Sequence, residues 1–256
     1  MPLSPAEIHT FYEEGYVVVQ NFFSLQEIDE MCEASERLQY LSAFLHHKIA
    51  SSGVEQMEEG SKFVFTPAKY LKRVVWCGAV EQKLLDYGQS NRLTEVAAKI
   101  LGSDSLDHIL NQIHFKLPHD GVVYPFHQDA QHRRYGTSEW NDVNGKGSYV
   151  QTVTALDEVT LENGPLLIIP GSSRKGFLNL PYDEQKETVS ELFDSADAIP
   201  LLMQPGDVLF FGPYLIHGSR ENTSATPRRM FINGFAYPGA NQREYVGSGK
   251  GVRIEI

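Results

Sequence analysis

YPFHQDAQHRRYG, residues 124–136, opens as an aromatic, β-prone run and closes in a cluster of ionisable side chains. His127, Asp129, His132, Arg133 and Arg134 all fall within it. If it is a strand end, His127 and Asp129 lie two apart and project from one face of a sheet. If it is a polar loop, the same residues carry no chemistry. The flanking sequence favours the strand. HILNQIHFKL (108–117), YVQTVTALD (149–157), PLLIIP (165–170), DVLFFG (207–212) and RMFINGFAY (229–237) are short, apolar and β-prone, with Asn-Gly, Pro-Gly and Gly-Pro as punctuation. This half of the chain predicts an antiparallel barrel or sandwich.

Ahead of it the texture is helical. Ser4, Pro5 and Glu7 combine a side-chain cap, a proline at the first helical position and a reciprocating carboxylate. Gly15 ends that helix and YVVVQ (16–20) reads as a strand. Ser24 and Glu27 repeat the capping box, and Ile28, Met31, Leu38, Leu41 and Leu45 recur at helical spacing over 25–49. KLLDYGQSNRLTEVAAKIL (83–101) reads as a further helix ending at Gly102. Helices first and strands after predict an α+β protein with helices packed outside the barrel.

The chain has 256 residues, 41% of them hydrophobic, without a composition break or a Ser/Gly-rich linker, which predicts one domain over 1–256. A net charge of −11 argues against nucleic acid and against an anionic membrane surface, but leaves room for a small anionic ligand. Cys32 and Cys77 belong to no CxxC pattern and read as reduced thiols of a cytoplasmic protein. The N-terminal residues lack the basic and apolar regions of a secretory signal, and no run has the length of a membrane span.

An imidazole and a carboxylate side by side can ligate a divalent ion, but two ligands are too few. His217, in FFGPYLIHGS, follows a β-prone run and a Gly-Pro turn and is the candidate third. Two histidines and one carboxylate on one side of a metal leave open positions, the arrangement of non-haem Fe(II) chemistry with oxygen and a co-substrate. A closed zinc site would show four ligands, usually with cysteine. The competing reading is a surface strand end whose histidine caps a carbonyl.

FHQD (126–129), ALDEVTLENGPLLIIPGSSRKG (155–176), QPGDVLFF (204–211) and HGSRENTSATPRR (217–229) occur in that order. Together, with the capped helix, GYVVV and second capped helix of the N-terminus, they resemble the phytanoyl-CoA dioxygenase family of Fe(II)/2-oxoglutarate oxygenases over nearly the whole chain. The resemblance implies a double-stranded β-helix, a jelly-roll, cupin-like barrel with N-terminal and flanking helices, and iron in one mouth. It implies His127, Asp129 and His217 as iron ligands, Arg228 as the partner of the distal carboxylate of 2-oxoglutarate, and Ser219 as its hydroxyl partner. O2 is the remaining co-substrate, with succinate and CO2 as products. Arg229 alternates to the other side of the strand. Fe(II) and one aspartate carry +1, a 2-oxoglutarate dianion brings this to −1, and Arg228 restores neutrality through a fork that lysine lacks. Where the family often reads GSH, this chain has GSSRKG with Ser173, a turn position. Asp129 occupies the place that a small residue takes in related halogenating enzymes, which favours hydroxylation.

In 108–117, Gln112, His114 and Lys116 alternate onto one face. Facing inward, Gln112 or His114 touches 2-oxoglutarate or substrate; facing outward, the set is a solvated stripe. Thr152 and Thr154 pose the same choice. Arg133, Arg134, Tyr135 and Trp140 belong to a long segment before the next strand and are candidates for binding substrate, with an arginine taking a carboxylate or phosphate; the alternative is a solvated loop. Lys69, Lys72, Arg73 and Trp76 in KFVFTPAKYLKRVVWCG (62–78) mark either an anionic entrance or a solvated helix face. His9, His108 and His119 show no partner pattern and read as surface residues. The expected function is hydroxylation of a small polar metabolite or natural product. Two rivals stand beside it: a non-catalytic metal or small-molecule binding protein, and a zinc or manganese hydrolase or isomerase on a cupin-like barrel.

Overall fold

The computed structural model describes residues 3–49, 53–183, 186 and 190–256. The N-terminal helix α1 (Pro5–Glu14) begins with the expected capping box, Ser4 accepting from the Glu7 amide and Glu7 reaching back to Ser4. It ends at Gly15, whose φ of +87° is left-handed and whose missing side chain leaves space for Ser173. Strand β1 (Tyr16–Val19) follows, then α2 (Leu25–Leu45), capped by Ser24 and Glu27.

A meander of β2 (Glu55–Glu58), β3 (Ser61–Phe65) and β4 (Leu71–Val75) comes next. The basic stretch around Lys72 and Arg73 is therefore a strand, which removes its helical alternative. The single helix expected over 83–101 is two, α3 (Gln82–Gly88) and α4 (Asn91–Leu101). The break has a packing cause: Gly88 lies so close to the strands below that a Cβ there would sit 2.4 Å from Asn233 Oδ1. The Ser90 hydroxyl donates to the Tyr87 carbonyl across the corner at 2.9 Å.

The remaining elements are β5 (Ser105–Lys116), β6 (Tyr124–His127), the short helix α5 (Asp129–His132), β7 (Tyr149–Ala155), β8 (Leu166–Ile168), β9 (Ile199–Leu201), β10 (Val208–Phe211), β11 (His217–Ser219), β12 (Arg228–Ala236) and β13 (Val252–Glu255). Among the described residues they form two sheets. The larger runs β1-β10-β7-β12-β5-β4-β3-β2, with β13 also on β5, and the smaller runs β6-β11-β8-β9. Neighbouring strands in both sheets pair antiparallel. This is the jelly-roll, α+β architecture expected from the sequence.

The period of two divides the large sheet into two faces. On β12, Arg228, Met230 and Ile232 face the small sheet, while Phe231 and Phe235 face the helices. Between the sheets, Val153, Ile168, Leu209, Phe211, Met230 and Ile232 pack together. Under the helices, Ile113, Phe115, Val150, Phe210, Phe231 and Phe235 meet Met31, Leu38, Leu93 and Val96. Full burial of side chains of this size stabilises by about 1.5–3 kcal/mol each, which fixes the outer face and hence which residues turn inward. Thr152 and Thr154 fall on the helix-facing side, Thr152 donating to the Asn233 carbonyl; the inward residues of β7 are Gln151 and Val153. Arg229 faces the same helices, where it meets Asp157 at 2.7 Å and Ser35 at 3.0 Å.

His108 corrects its expected surface position. It is fully buried, stacked on Phe235 at 4.8 Å and beside Trp76 at 5.2 Å. Its Nε2 donates to Asn233 Oδ1 at 3.1 Å, and its Nδ1 is 3.3 Å from the Gln89 amide nitrogen, which donates to it in that tautomer. Burial holds its pKa down at about 4. The unfolded chain therefore binds a proton near pH 6.5 that the folded chain refuses until about pH 4. Stability from this residue is full above pH 6.5 and declines as pH falls toward 4. Urea unfolding at pH 7 and pH 4.5 is expected to show the wild type losing about 2–3 kcal/mol more than His108→Gln across that interval.

Candidate active site

The three candidate metal ligands converge. His127 ends β6, His217 opens β11, and the two are direct cross-strand partners, with ring centroids 4.3 Å apart. Asp129 joins them differently from the expected strand alternation. The chain leaves the strand after His127 and Asp129 starts the helical turn α5, which swings its carboxylate to within 3.9 Å of His127 Nε2. One ligand atom from each residue lies within 4.8 Å of the other two. Gln128, between the ligands, points away and pins the bend: its amide donates to the Gly176 and Tyr214 carbonyls, and its oxygen accepts from the Leu178 amide.

The donor set fits a divalent ion. His127 Nδ1 donates to the Pro125 carbonyl at 2.7 Å and His217 Nδ1 to the Leu215 carbonyl at 3.0 Å, which leaves both Nε2 lone pairs aimed into the site. Burial, with His217 and His132 nearby, holds the His127 pKa well below its ordinary value, so the ring is neutral and able to ligate. At 3.9 Å the His127–Asp129 pair is thus two ligands facing a common point rather than an ion pair. All three residues are buried, and Asp129 Oδ2 has no hydrogen-bond partner, an expensive state for a carboxylate oxygen unless a cation completes it.

These residues line a cavity of about 510 Å³ between the sheets. Arg228 enters it from β12, 3% exposed. Burial brings its pKa down to about 10, partly offset by Tyr124, Asp120 and Asp157, and the guanidinium stays charged at neutral pH. Its Nε has no hydrogen-bond partner, and among the described residues no carboxylate pairs with it. A buried guanidinium without a carboxylate partner among the described residues thus shares one cavity with two histidines and a carboxylate. Ser219, two residues after His217 on β11, lines the same end. Gln112 and His114 face inward, so of their two sequence-level readings the inward one describes the structure. The His114 ring stacks on Tyr124 at 5.5 Å, and its Nε2 is buried without a partner. Burial, then Arg73 and Arg228, push its pKa well below the ordinary value and keep it neutral.

The segment after α5 divides. Arg133 and Arg134 line the cavity. Tyr135 and Trp140 do not reach it, contrary to expectation: they stack on each other at 4.8 Å, and both donate to the Gly147 carbonyl. Their apolar surface is buried against Tyr149 and Tyr214, so they anchor the segment. The structure adds His132, Tyr182, Arg243 and Tyr245 to the cavity wall and places Arg73 there too, in line with the anionic-entrance reading of its stretch. Arg73 is the β4 partner of His114. Arg243 and Tyr245 come from beyond β12 and had no signal in sequence.

A jelly roll with this ligand set and a buried arginine facing it defines a non-haem Fe(II)/2-oxoglutarate dioxygenase, an oxidoreductase. The profile of the phytanoyl-CoA dioxygenase (PhyH) family matches residues 11–230, and the chain belongs to that family. It is 27% identical to methylphosphonate hydroxylase of Gimesia maris over 231 residues, 89% of this chain and 78% of that one. Across 143 residues, 47% of this chain and 51% of the other, it is 30% identical to L-proline trans-4-hydroxylase of Streptomyces griseoviridis. The structure of EctD from S. alaskensis with 2-oxoglutarate and 5-hydroxyectoine shares its fold, with a TM-score of 0.73 at 23% identity over 93% of this chain and 78% of that one.

Removing the Arg228 charge should uncouple co-substrate from metal. Arg228→Met is expected to raise the 2-oxoglutarate concentration needed to develop the visible charge-transfer band of the anaerobic Fe(II) complex by about 100-fold or more, the effect of leaving a buried carboxylate unmatched. Fe(II) binding without co-substrate, followed by calorimetry, should change little.

Proposed function

We propose that Fe(II) is held by Nε2 of His127, Nε2 of His217 and a carboxylate oxygen of Asp129, and that this chain hydroxylates a C–H bond of a small polar molecule. The observation that carries the reading is the convergence of three buried ligand atoms within 4.8 Å of one another, facing a buried arginine without a carboxylate. Bound iron and 2-oxoglutarate supply the oxygen chemistry, consuming O2, releasing succinate and CO2 and delivering one oxygen atom to the substrate.

The chain's own residues do the rest. Arg228 and the Ser219 hydroxyl bind the distal carboxylate of 2-oxoglutarate and so fix which end reaches the metal. The inward His114 and Gln112 border that co-substrate from β5. His127 and His217 hold their tautomers through backbone carbonyls, so both rings keep Nε2 free for the ion. Phe211, Met230, Ile232 and Val153 close the cavity floor and keep bulk water from the reacting atoms. The relatives' substrates, methylphosphonate and proline, are small and polar, and a cavity of about 510 Å³ accepts a molecule of that class beside 2-oxoglutarate. A single catalytic unit over 1–256 belongs to the same reading, supported by β1 pairing directly with β10 of the barrel. A cytoplasmic setting is supported by two free cysteines. Among the described residues no helix is long and apolar enough to cross a membrane.

A screen of small metabolites under air, with Fe(II) and 2-oxoglutarate, is expected to find compounds that stimulate succinate release. Asp129→Ala should abolish that release. Undiminished turnover in the variant would remove the ligand assignment, and turnover without 2-oxoglutarate would favour the hydrolase or isomerase alternative.

A further inference from the structure

Arginine is distributed in two ways in this acidic protein. Outside the cavity, Arg37, Arg92, Arg174, Arg229 and Arg253 each meet a carboxylate, and the exposed Arg220 is the exception among the described residues. Inside it, Arg73, Arg133, Arg134, Arg228 and Arg243 line the wall, and among the described residues none of them has an ion pair. Asp129 is the one acidic side chain in the described lining. With Asp129 on the metal and Arg228 on the co-substrate, four positive charges have no counterpart among the described residues.

Arg133 is the informative one, because it is 7% exposed. Its Nη2 donates to the Tyr149 hydroxyl at 3.1 Å and to Gln151 Oε1 at 3.3 Å, both neutral groups. Its guanidinium lies over the rings of Tyr149 at 5.0 Å and Tyr245 at 5.7 Å. Its Nε has no partner, and neither does the buried hydroxyl of Tyr245. Arg243 packs against the other side of this group, 5.1 Å from the Tyr245 ring, with Nη1 fixed by the His132 carbonyl at 2.8 Å. Ring faces and neutral acceptors reduce the cost of burying a guanidinium but leave its charge unmatched. Arg133 also lies one helical turn beyond Asp129, its amide donating to the Asp129 carbonyl at 3.1 Å, so what it binds is held next to the metal.

We propose that Arg133, with Arg243 and the Tyr245 hydroxyl, binds an oxyanion group of the primary substrate, a carboxylate or a phosphonate, and presents the neighbouring carbon to the iron site. This rests on the reading of His127, Asp129 and His217 as that site. The exposed Arg134 at the rim adds attraction at the mouth, where the overall charge of −11 would otherwise repel an anion.

The test uses the full chain, anaerobic, loaded with Fe(II) and 2-oxoglutarate and showing its charge-transfer band. Methylphosphonate and carboxyl-labelled acetate are titrated separately, and phosphorus and carbon NMR read the broadening that a nearby paramagnetic ion causes. Saturable broadening in the millimolar range or below is expected for at least one probe, and which probe binds identifies the headgroup. The uncharged dimethyl methylphosphonate should show none. Arg133→Gln and, independently, Arg243→Gln should each weaken binding, the former by about 30-fold or more, while the surface control Arg174→Gln should match wild type. Arg243 is only half-buried, so its variant keeps the test open should Arg133→Gln fail to fold. Two results would overturn the proposal: no saturable broadening by either anion with the band present, or broadening equal to wild type in both cavity variants, which would mean an adventitious ion only. A missing band would instead overturn the iron reading and this proposal with it.

Discussion

The site depends on one cross-strand contact. His127 and His217 sit opposite each other on β6 and β11, and each turns the same nitrogen, Nδ1, to a backbone carbonyl two residues back, Pro125 for one and Leu215 for the other. That repeated geometry fixes both tautomers before any ion arrives. Register does the positioning: a slip of one residue in either strand would turn its ring to the opposite face of the small sheet. The register is held in turn by β8 on the far side, where Ile168 pairs with His217 and packs in the core between the sheets. Asp129 then needs only to be delivered to a point already defined, and the helical turn pinned by Gln128 delivers it.

The same logic of unmatched groups runs through the cavity. Asp129 Oδ2, Arg228 Nε, His114 Nε2, Arg133 Nε and the Tyr245 hydroxyl are all buried without hydrogen-bond partners. A fold optimised only for stability would satisfy or remove them. Here they cluster around a single space, and their charges read as the negative image of what enters: a cation at Asp129, a diacid at Arg228, an oxyanion at Arg133. Other buried atoms without partners, among them Thr154 Oγ1, Ser173 Oγ and Asn233 Nδ2, lie singly outside the cavity. His108, Asn111 and Asn233 form a hydrogen-bonded set under α3 and α4 that ties helices to barrel. Convergence of charged and ligand-type groups without partners on one space, rather than the presence of polar residues, marks the functional environment.

Much of this was legible in sequence, for physical reasons that differ by element. Capping boxes at Ser4 and Ser24 are local, so they were readable from four residues each. The strands of the barrel carried β-branched, apolar runs between turn residues. The three ligands and Arg228 were legible through the order of the motifs that hold them, because spacing alone leaves His-x-Asp ambiguous. What failed depended on tertiary contact. The break at Gly88 comes from strands that lie beyond it in the chain. The β2–β4 meander is short, with a charged and an apolar residue, Glu55 and Met57, both outward on its edge strand, and showed no strong alternation. Tyr135 and Trp140 were aromatic residues in a long connection, a composition shared by ligand-binding and merely anchored segments. Arg243 and Tyr245 reach the cavity only because the chain returns after β12.

The central claim is that two imidazoles and one carboxylate from this chain share a single iron, and X-ray absorption at the iron edge tests it most directly. For the anaerobic Fe(II) protein the account requires the multiple scattering of two histidine rings per iron, falling to one in His217→Ala. Scattering from no histidine, or two rings persisting when His217 is gone, would contradict it.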